Sequence, residues 1–290
     1  MKTTVYLNGS FMPEDKSSIS SIDMAYLYGY GVFDTLRIYG GMPFMLDKHL
    51  VRLANGAVSL GIPKPNPKMI TQAIYELIER NGHTQARARI TLSMTGIGIA
   101  PTLPKKRAAT IFIATMPLDV LAIGQAQNKG VRAIISRKLS RTTGLLSAIK
   151  GTAQAHGIIA QSEAHDSNAD EAILLNDKGM LAEGSFSNLF IAKDGTLITP
   201  DLKSGILPGI TREVVIESAK RRGIPIEIRP VKPAEAAKAD EIFLTNSVRE
   251  IIPVIELDGK PIGNNKPGAI TKRLLAAYKA LVKLETNRAD

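Results

Sequence analysis

Residues 145–190 read LLSAIKGTAQAHGIIAQSEAHDSNADEAILLNDKGMLAEGSFSNLF, and the order of apolar and turn residues in this stretch decides the architecture. A helical pattern over 152–165 runs into the strand EAILL, and Asn176-Asp177-Lys178-Gly179 then turns the chain into a second strand, MLAEG. A third strand, SNLFIA, and a second turn at Asp194-Gly195 lead into TLITP. Strands joined by such tight turns run antiparallel, because a parallel pair needs a crossover of a dozen or so residues. Hairpins mixed with helices therefore predict a mixed α/β (α+β) fold in two domains, not an all-parallel sheet.

The same stretch holds two polar residues that stand apart. Lys150 closes an apolar run and is followed by Gly151, Thr152 and Ala153. A lysine stem commonly covers apolar surface while its ammonium reaches water. Held among apolar neighbours, however, it loses hydration, its pKa falls, and it can attack an aldehyde and later act as a base. The small residues beside it leave room for a flat ring. Glu183 is a lone acid among Ala182, Gly184 and Ser185. It is either exposed and idle or the partner of a ring nitrogen.

Composition narrows the classes. The chain has 290 residues, 44% of them hydrophobic and 22% charged, as in ordinary globular proteins. It has no cysteine, which excludes disulfides, zinc fingers, iron–sulfur clusters and thiol nucleophiles. His49, His83, His156 and His165 show no metal-ligand spacing. The net charge of +10 raises the question of nucleic acid, but the basic residues are scattered apart from KKR at 105–107 and KRR at 220–222. Aromatic residues do not interleave with either cluster, so no nucleic-acid partner is expected. MKTTVYLNGSF lacks the apolar core of a signal peptide, and no run reaches membrane-spanning length. A cytoplasmic enzyme without a membrane partner is the expectation.

Upstream, TTVYLNG is a strand and turn, VFDTLRIYG with PFML a strand pair, and Asp47 a candidate cap for a helix carrying Leu50, Leu53, Ala57 and Leu60, with Arg52 on its polar side. A second helix over 68–81 stops at Gly82. ARARITLSMTG is a strand with Arg87 and Arg89 on one face, and RAATIFIATM a more buried one. The pattern breaks in PLDVLAIGQAQNKG. The expected division is a small domain at 1–118, a linker at 119–130 and a larger domain at 131–290. VRAIIS is a strand and RKLSRTTG a loop. LPGIT at 207–211 turns the chain into a helix, whose free N–H groups and dipole suit a phosphate, although a plain helix start has the same pattern.

A lysine, an anion site and a lone acid are the three things pyridoxal phosphate requires. No spacing rule links them, and resemblance adds what chemistry cannot. The runs ADEAILLN, AEGSFSNLF, GILPGITR and ADEIFLTNS, together with GYGVFDTLRIYGG and HLVRL, resemble the class IV (fold type IV) pyridoxal-phosphate enzymes over nearly the whole chain. These are the branched-chain aminotransferases, D-amino-acid aminotransferases and 4-amino-4-deoxychorismate lyases.

The resemblance implies that Lys150 forms the Schiff base and Glu183 binds the pyridine nitrogen. It implies that Arg52, Ile210, Thr211 and Ser247 hold the phosphate and that Leu207 lies under the ring. The implied activity is amino transfer between an amino acid, branched-chain L- or D-, and a 2-oxo acid. The alternative is release of pyruvate and 4-aminobenzoate by the lyase. A homodimer is expected by the same resemblance.

Three features depart from the family pattern. Tyr30 stands where a GDG or GEG acid is common, Ala153–Ala155 where branched-chain enzymes carry a tyrosine, and MTGIGIAPTLP lacks the D-specific arginine–histidine trap. They leave the substrate open. Tyr28 and Tyr30 are candidates for lining its pocket. Arg87, Arg89, Arg137 and Arg141 are candidates for its carboxylate, or else solvated charges.

Overall fold

The computed structural model describes residues 3–95, 103 and 107–286. The stretch 96–102 and Lys105 and Lys106, both weighed above, lie outside the described residues. The chain divides into two compact units. One comprises Met1–Leu118, Ile149–Gln154 and Glu285–Asp290, and the other Asp119–Ala148 and Ala155–Leu284.

The first unit carries β1 (Thr4–Leu7), β2 (Ser10–Pro13), α1 (Met24–Tyr28), β3 (Gly31–Tyr39), β4 (Met42–Pro43), α2 (Leu46–Ser59), α3 (Pro67–Asn81), β5 (Gln85–Thr95) and β6 (Ala108–Pro117). The strands form an antiparallel sheet in the order β2-β1-β6-β5-β3-β4. Leu36 and Ile38 of β3, Ile90 and Leu92 of β5, Leu53 of α2, and Ile70, Ile74 and Leu77 of α3 are buried in one core. Asn66 caps α3 by accepting from the Lys68 and Met69 N–H groups, and Gly82 ends it in the left-handed region at φ 64°.

Several local expectations need correction. Asp47 does not cap α2: Met45 occupies that position without a side-chain bond, and Asp47 sits in the first turn, where its charge still favours the helix dipole. The returning strand PFML shrinks to β4, because Met45, at φ 55°, turns the chain into α2 at Leu46. The more buried member of the β5/β6 pair is β5, not β6.

The largest difference concerns 149–154. Phe33 N–H donates to the Lys150 carbonyl and Thr152 N–H to the Gly31 carbonyl, each at 2.9 Å, and Val32 bridges Gly151. This stretch is therefore extended against β3 and clusters with the first unit, not with 131–290. Glycines on the β3 side serve this pairing: a Cβ on Gly29 would lie 2.9 Å from Ala153 Cβ, and one on Gly31 would lie 3.0 Å from Thr152 Oγ1.

The second unit carries α4 (Val120–Lys129), β7 (Val131–Arg141), α5 (Ala155–Asp166), β8 (Glu171–Asn176), β9 (Leu181–Gly184), β10 (Asn188–Lys193), β11 (Thr196–Thr199), α6 (Ile210–Arg221), β12 (Ile226–Ile228), α7 (Pro233–Ala236), β13 (Glu241–Asn246), β14 (Glu250–Leu257), β15 (Lys260–Pro261) and α8 (Ala269–Thr286). The 119–130 stretch is not bare linker, since Asp119 caps α4. Strand β7 absorbs most of the expected RKLSRTTG loop through a register shift between Ile135 and Ser140. The sheet runs β12-β11-β10-β13-β14-β7-β8-β9, and β9 pairs again with β10 through Glu183 and Asn188. The six strands from β10 to β9 thus close on themselves, and Glu183 sits at the closing pair. Parallel pairs (β7/β8, β7/β14, β11/β12) mix with antiparallel ones. Phe190 and Phe243 stack at 4.9 Å between ring centroids inside this unit.

Gly130 joins α4 to β7 at φ +81°, and a Cβ there would lie 2.3 Å from Ile255 Cγ2. Gly130→Ala is expected to lower stability by roughly 2–4 kcal/mol, adding left-handed strain to overpacking. Denaturant titration checks this, and a change below about 0.5 kcal/mol, the usual surface range, would show that the junction relaxes freely.

Candidate active-site residues in each unit

In the first unit the chemistry gathers around β3. Phe33 and Asp34 are adjacent, so their side chains leave the strand on opposite faces. The Phe33 ring carries the Arg89 guanidinium at 3.7 Å and the Lys150 ammonium at 4.8 Å, so one ring meets two cations. Lys150 itself is half-buried.

Asp34 is buried behind them. Its Oδ2 accepts from Arg52 Nε at 2.8 Å, and its Oδ1 from Arg52 Nη2 at 2.7 Å. His49 Nδ1 lies 2.7 Å from Oδ1. Burial opposes charge on Asp34, but the Arg52 guanidinium and the His49 hydrogen bond outweigh it and hold the carboxyl well below the usual carboxylate range. Burial pushes the His49 imidazole down as well, against the pull of Asp34. The ion pair is thus Asp34–Arg52, and we assign His49 as a neutral ring donating Nδ1–H. The bidentate pair fixes the guanidinium plane of Arg52.

In the second unit the chemistry gathers around Glu183, which is buried on β9. Arg141 Nη2 pairs with its Oε1 at 2.8 Å. Its Oε2 accepts from Asn188 Nδ2 at 3.1 Å and from Leu207 N–H at 2.9 Å. Leu207 is thereby tied to Glu183 through its backbone. Two residues on, Gly209 starts α6 with no side-chain cap. A Cβ on Gly209 would lie 1.8 Å from Asn188 Oδ1, so the approach admits only glycine. Ile210 and Thr211 open the helix, both buried, and the buried Thr211 Oγ1 has no hydrogen-bond partner among the described residues. A helix N-terminus together with an orphaned buried hydroxyl suits an anion. Thr245 Oγ1, at the end of β13, is a second buried hydroxyl without a partner among the described residues. Ser247 follows in a half-buried turn where Asn246 Oδ1 accepts from the Val248 and Arg249 N–H groups.

Other candidates are committed elsewhere or exposed. Tyr30 donates its hydroxyl to the Leu60 carbonyl at 2.5 Å and packs on the first core. Tyr28 is exposed. Arg87 reaches the Met116 sulfur at 3.6 Å from an exposed position. Arg137 is exposed, and its N–H donates to Glu163.

Reading the residues alone missed Phe33, Asp34, His49, Asn188 and Thr245. An acid inside the apolar strand VFDTLRIY was the available signal for Asp34; the others had none.

The model of the class IV amino-transferase family matches residues 31–257. A provisionally assigned branched-chain-amino-acid aminotransferase of Methanocaldococcus jannaschii is 38% identical over 279 residues, 95% of each chain. The Escherichia coli branched-chain amino acid aminotransferase structure superposes with a TM-score of 0.91 at 28% identity, covering 97% of this chain and 95% of that one. The Thermobaculum terrenum branched-chain aminotransferase, solved in its PLP holo-form, superposes with a TM-score of 0.87 at 28% identity over 97% and 94%. With the family model spanning most of its length and relatives matched nearly end to end, the chain belongs to the class IV aminotransferases.

Proposed function

We propose that this chain is a pyridoxal-phosphate-dependent transaminase that moves an amino group from a branched-chain L-amino acid to a 2-oxo acid. The observation that carries it is the buried Glu183 carboxylate, held by three donors in the unit whose α6 start offers an orphaned Thr211 hydroxyl. Lys150 Nζ would hold the cofactor aldehyde, and the guanidinium of Arg52, the hydroxyls of Thr211 and Ser247, and the N–H groups opening α6 would hold its phosphate. Leu207 would lie against the ring. When bound, the ring supplies an electron sink for the charge left on the substrate Cα. Lys150 Nζ would take the substrate Cα proton and return it. Glu183 would hold a proton on the ring nitrogen. Asp34 holds Arg52 in the orientation a second anion requires. The branched-chain preference rests on the archaeal relative.

The test is to mix the cofactor-loaded protein with single amino acids, without acceptor, and follow its visible absorbance. Loss of the visible band with leucine, isoleucine or valine of the L series supports the reading. Conversion by D-alanine or D-glutamate alone makes the enzyme D-specific. Pyruvate released from aminodeoxychorismate, with neither set converting, makes it the lyase. A protein that retains no pyridoxal phosphate overturns the proposal.

A further inference from the structure

Arg141 was a candidate for the substrate carboxylate, but the second unit binds its guanidinium from several sides. Nη2 meets Glu183 Oε1 at 2.8 Å and the Ser147 carbonyl at 3.2 Å, and Nε donates to the Gly205 carbonyl at 3.3 Å. Nη1 lies 2.8 Å from His156 Nε2. A guanidinium has donors only, so His156 Nε2 must present its lone pair, with the ring neutral and its proton on Nδ1. His156 is on the first turn of α5, and Arg141 ends β7. Two elements of the closed sheet and its covering helix thus converge on one carboxylate.

Rigid placement of this kind has a chemical consequence. A proton shared between a carboxylate and a pyridine can rest on either atom. A cation bonded to the carboxylate oxygen stabilises its ionised form and opposes its protonation. The Asn188 and Leu207 donors on Oε2 act in the same sense, because a carboxylate accepts hydrogen bonds better than a carboxylic acid does.

We propose that Arg141, steadied by neutral His156, is a positioning residue that keeps Glu183 ionised and so holds the shared proton on the cofactor's ring nitrogen. The proposal rests on the reading of Glu183 as the ring partner. It gives Arg141 a role in the strength of the electron sink and none in substrate binding.

The test uses full-length protein loaded with ring-15N pyridoxal phosphate and reads the nitrogen chemical shift, alongside cofactor affinity and steady-state kinetics. Wild type should show a protonated ring. Arg141→Met should move the signal toward neutral pyridine and lower kcat roughly tenfold to hundredfold, the size expected for one charge-assisted hydrogen bond, with KM little changed. Arg141→Lys should keep the protonated signal. An unmoved signal in Arg141→Met, even with slower turnover or weaker cofactor binding, overturns the proposal and leaves Arg141 structural. If that variant does not fold, His156→Leu decides. A partial move toward neutral supports the proposal, and no move overturns it. Glu183→Gln separates the two readings: a ring signal that ignores this change shows that Glu183 is not the ring partner at all.

Discussion

Lys150→Ala is expected to fold normally, to bind no cofactor covalently and to lose turnover by roughly 10⁴-fold or more. The lysine's place is set by its backbone. Its carbonyl accepts from Phe33 N–H, and Thr152 N–H donates to Gly31, with Thr152 Oγ1 on the Gly29 carbonyl at 2.8 Å. None of these bonds involves the side chain being removed. The ammonium's contact with Phe33 at 4.8 Å is a partly exposed cation–π pair, about 0.5–1 kcal/mol. Stability should therefore change little. Catalysis loses both the covalent anchor and the proton-transfer base, and a base alone contributes up to about 10⁴-fold. Borohydride reduction followed by peptide mass spectrometry reads the anchor, and turnover reads the base. Cofactor fixed to a different lysine, with turnover retained, would sink the assignment of Lys150.

Why does Lys150 stand out in the sequence while its surroundings do not? Its isolation at the end of LLSAI, and the resemblance of the motifs around it, are local facts of the chain. So are the turns at 176–179 and 194–195, which the structure contains as β8/β9 and β10/β11 hairpins. The helical continuation after Gly151 was also a local reading, and it held over most of its length, since α5 covers Ala155–Asp166 against an expected 152–165. Only the start moved, because β3 offers residues 149–154 backbone partners more than a hundred residues away in sequence, and tertiary pairing overrides the local pattern. The RKLSRTTG loop misled for the same reason, since its polar residues lie along a strand paired with β8 and its Arg141 turns to Glu183.

The site residues divide in the same way. Glu183 and LPGIT stand out by composition and by neighbouring turns. Asn188, Arg141 and His156 become meaningful only when β9 closes on β10 and α5 packs beside β7. Thr211 was named in sequence, but that its hydroxyl stays unsatisfied among the described residues was not legible, because what marks it is a missing partner.

Asp34→Asn should show the largest loss of stability. The carboxylate is fully buried and accepts from both Arg52 and His49. Asparagine removes the charge and one acceptor, leaving the largely buried Arg52 guanidinium without its counter-ion. Breaking one side of such a pair costs roughly 3–5 kcal/mol, which corresponds to a melting temperature lower by about 10 °C at these sizes. Phosphate binding by a reoriented Arg52 should weaken in parallel, so the variant should hold pyridoxal phosphate less tightly even where it remains folded.

The pH dependence gives a second, independent reading. Asp34 has a folded value held below its ordinary 3.8, so its contribution is complete above that pH and is lost as the solution is acidified through and below it. His49 is pushed below its ordinary 6.5 by burial. The unfolded chain therefore gains a proton there that the folded chain does not, and stability falls as pH drops under 6.5. Wild type should lose stability in both windows. Asp34→Asn should keep the decline below 6.5 and lose the share of the acid limb that Asp34 supplies. Thermal melts of both proteins from pH 7.5 to 3 measure this. Parallel curves separated by only a degree or two would mean that Arg52 and His49 find other partners, and that Asp34 does not organise this cluster of the first unit.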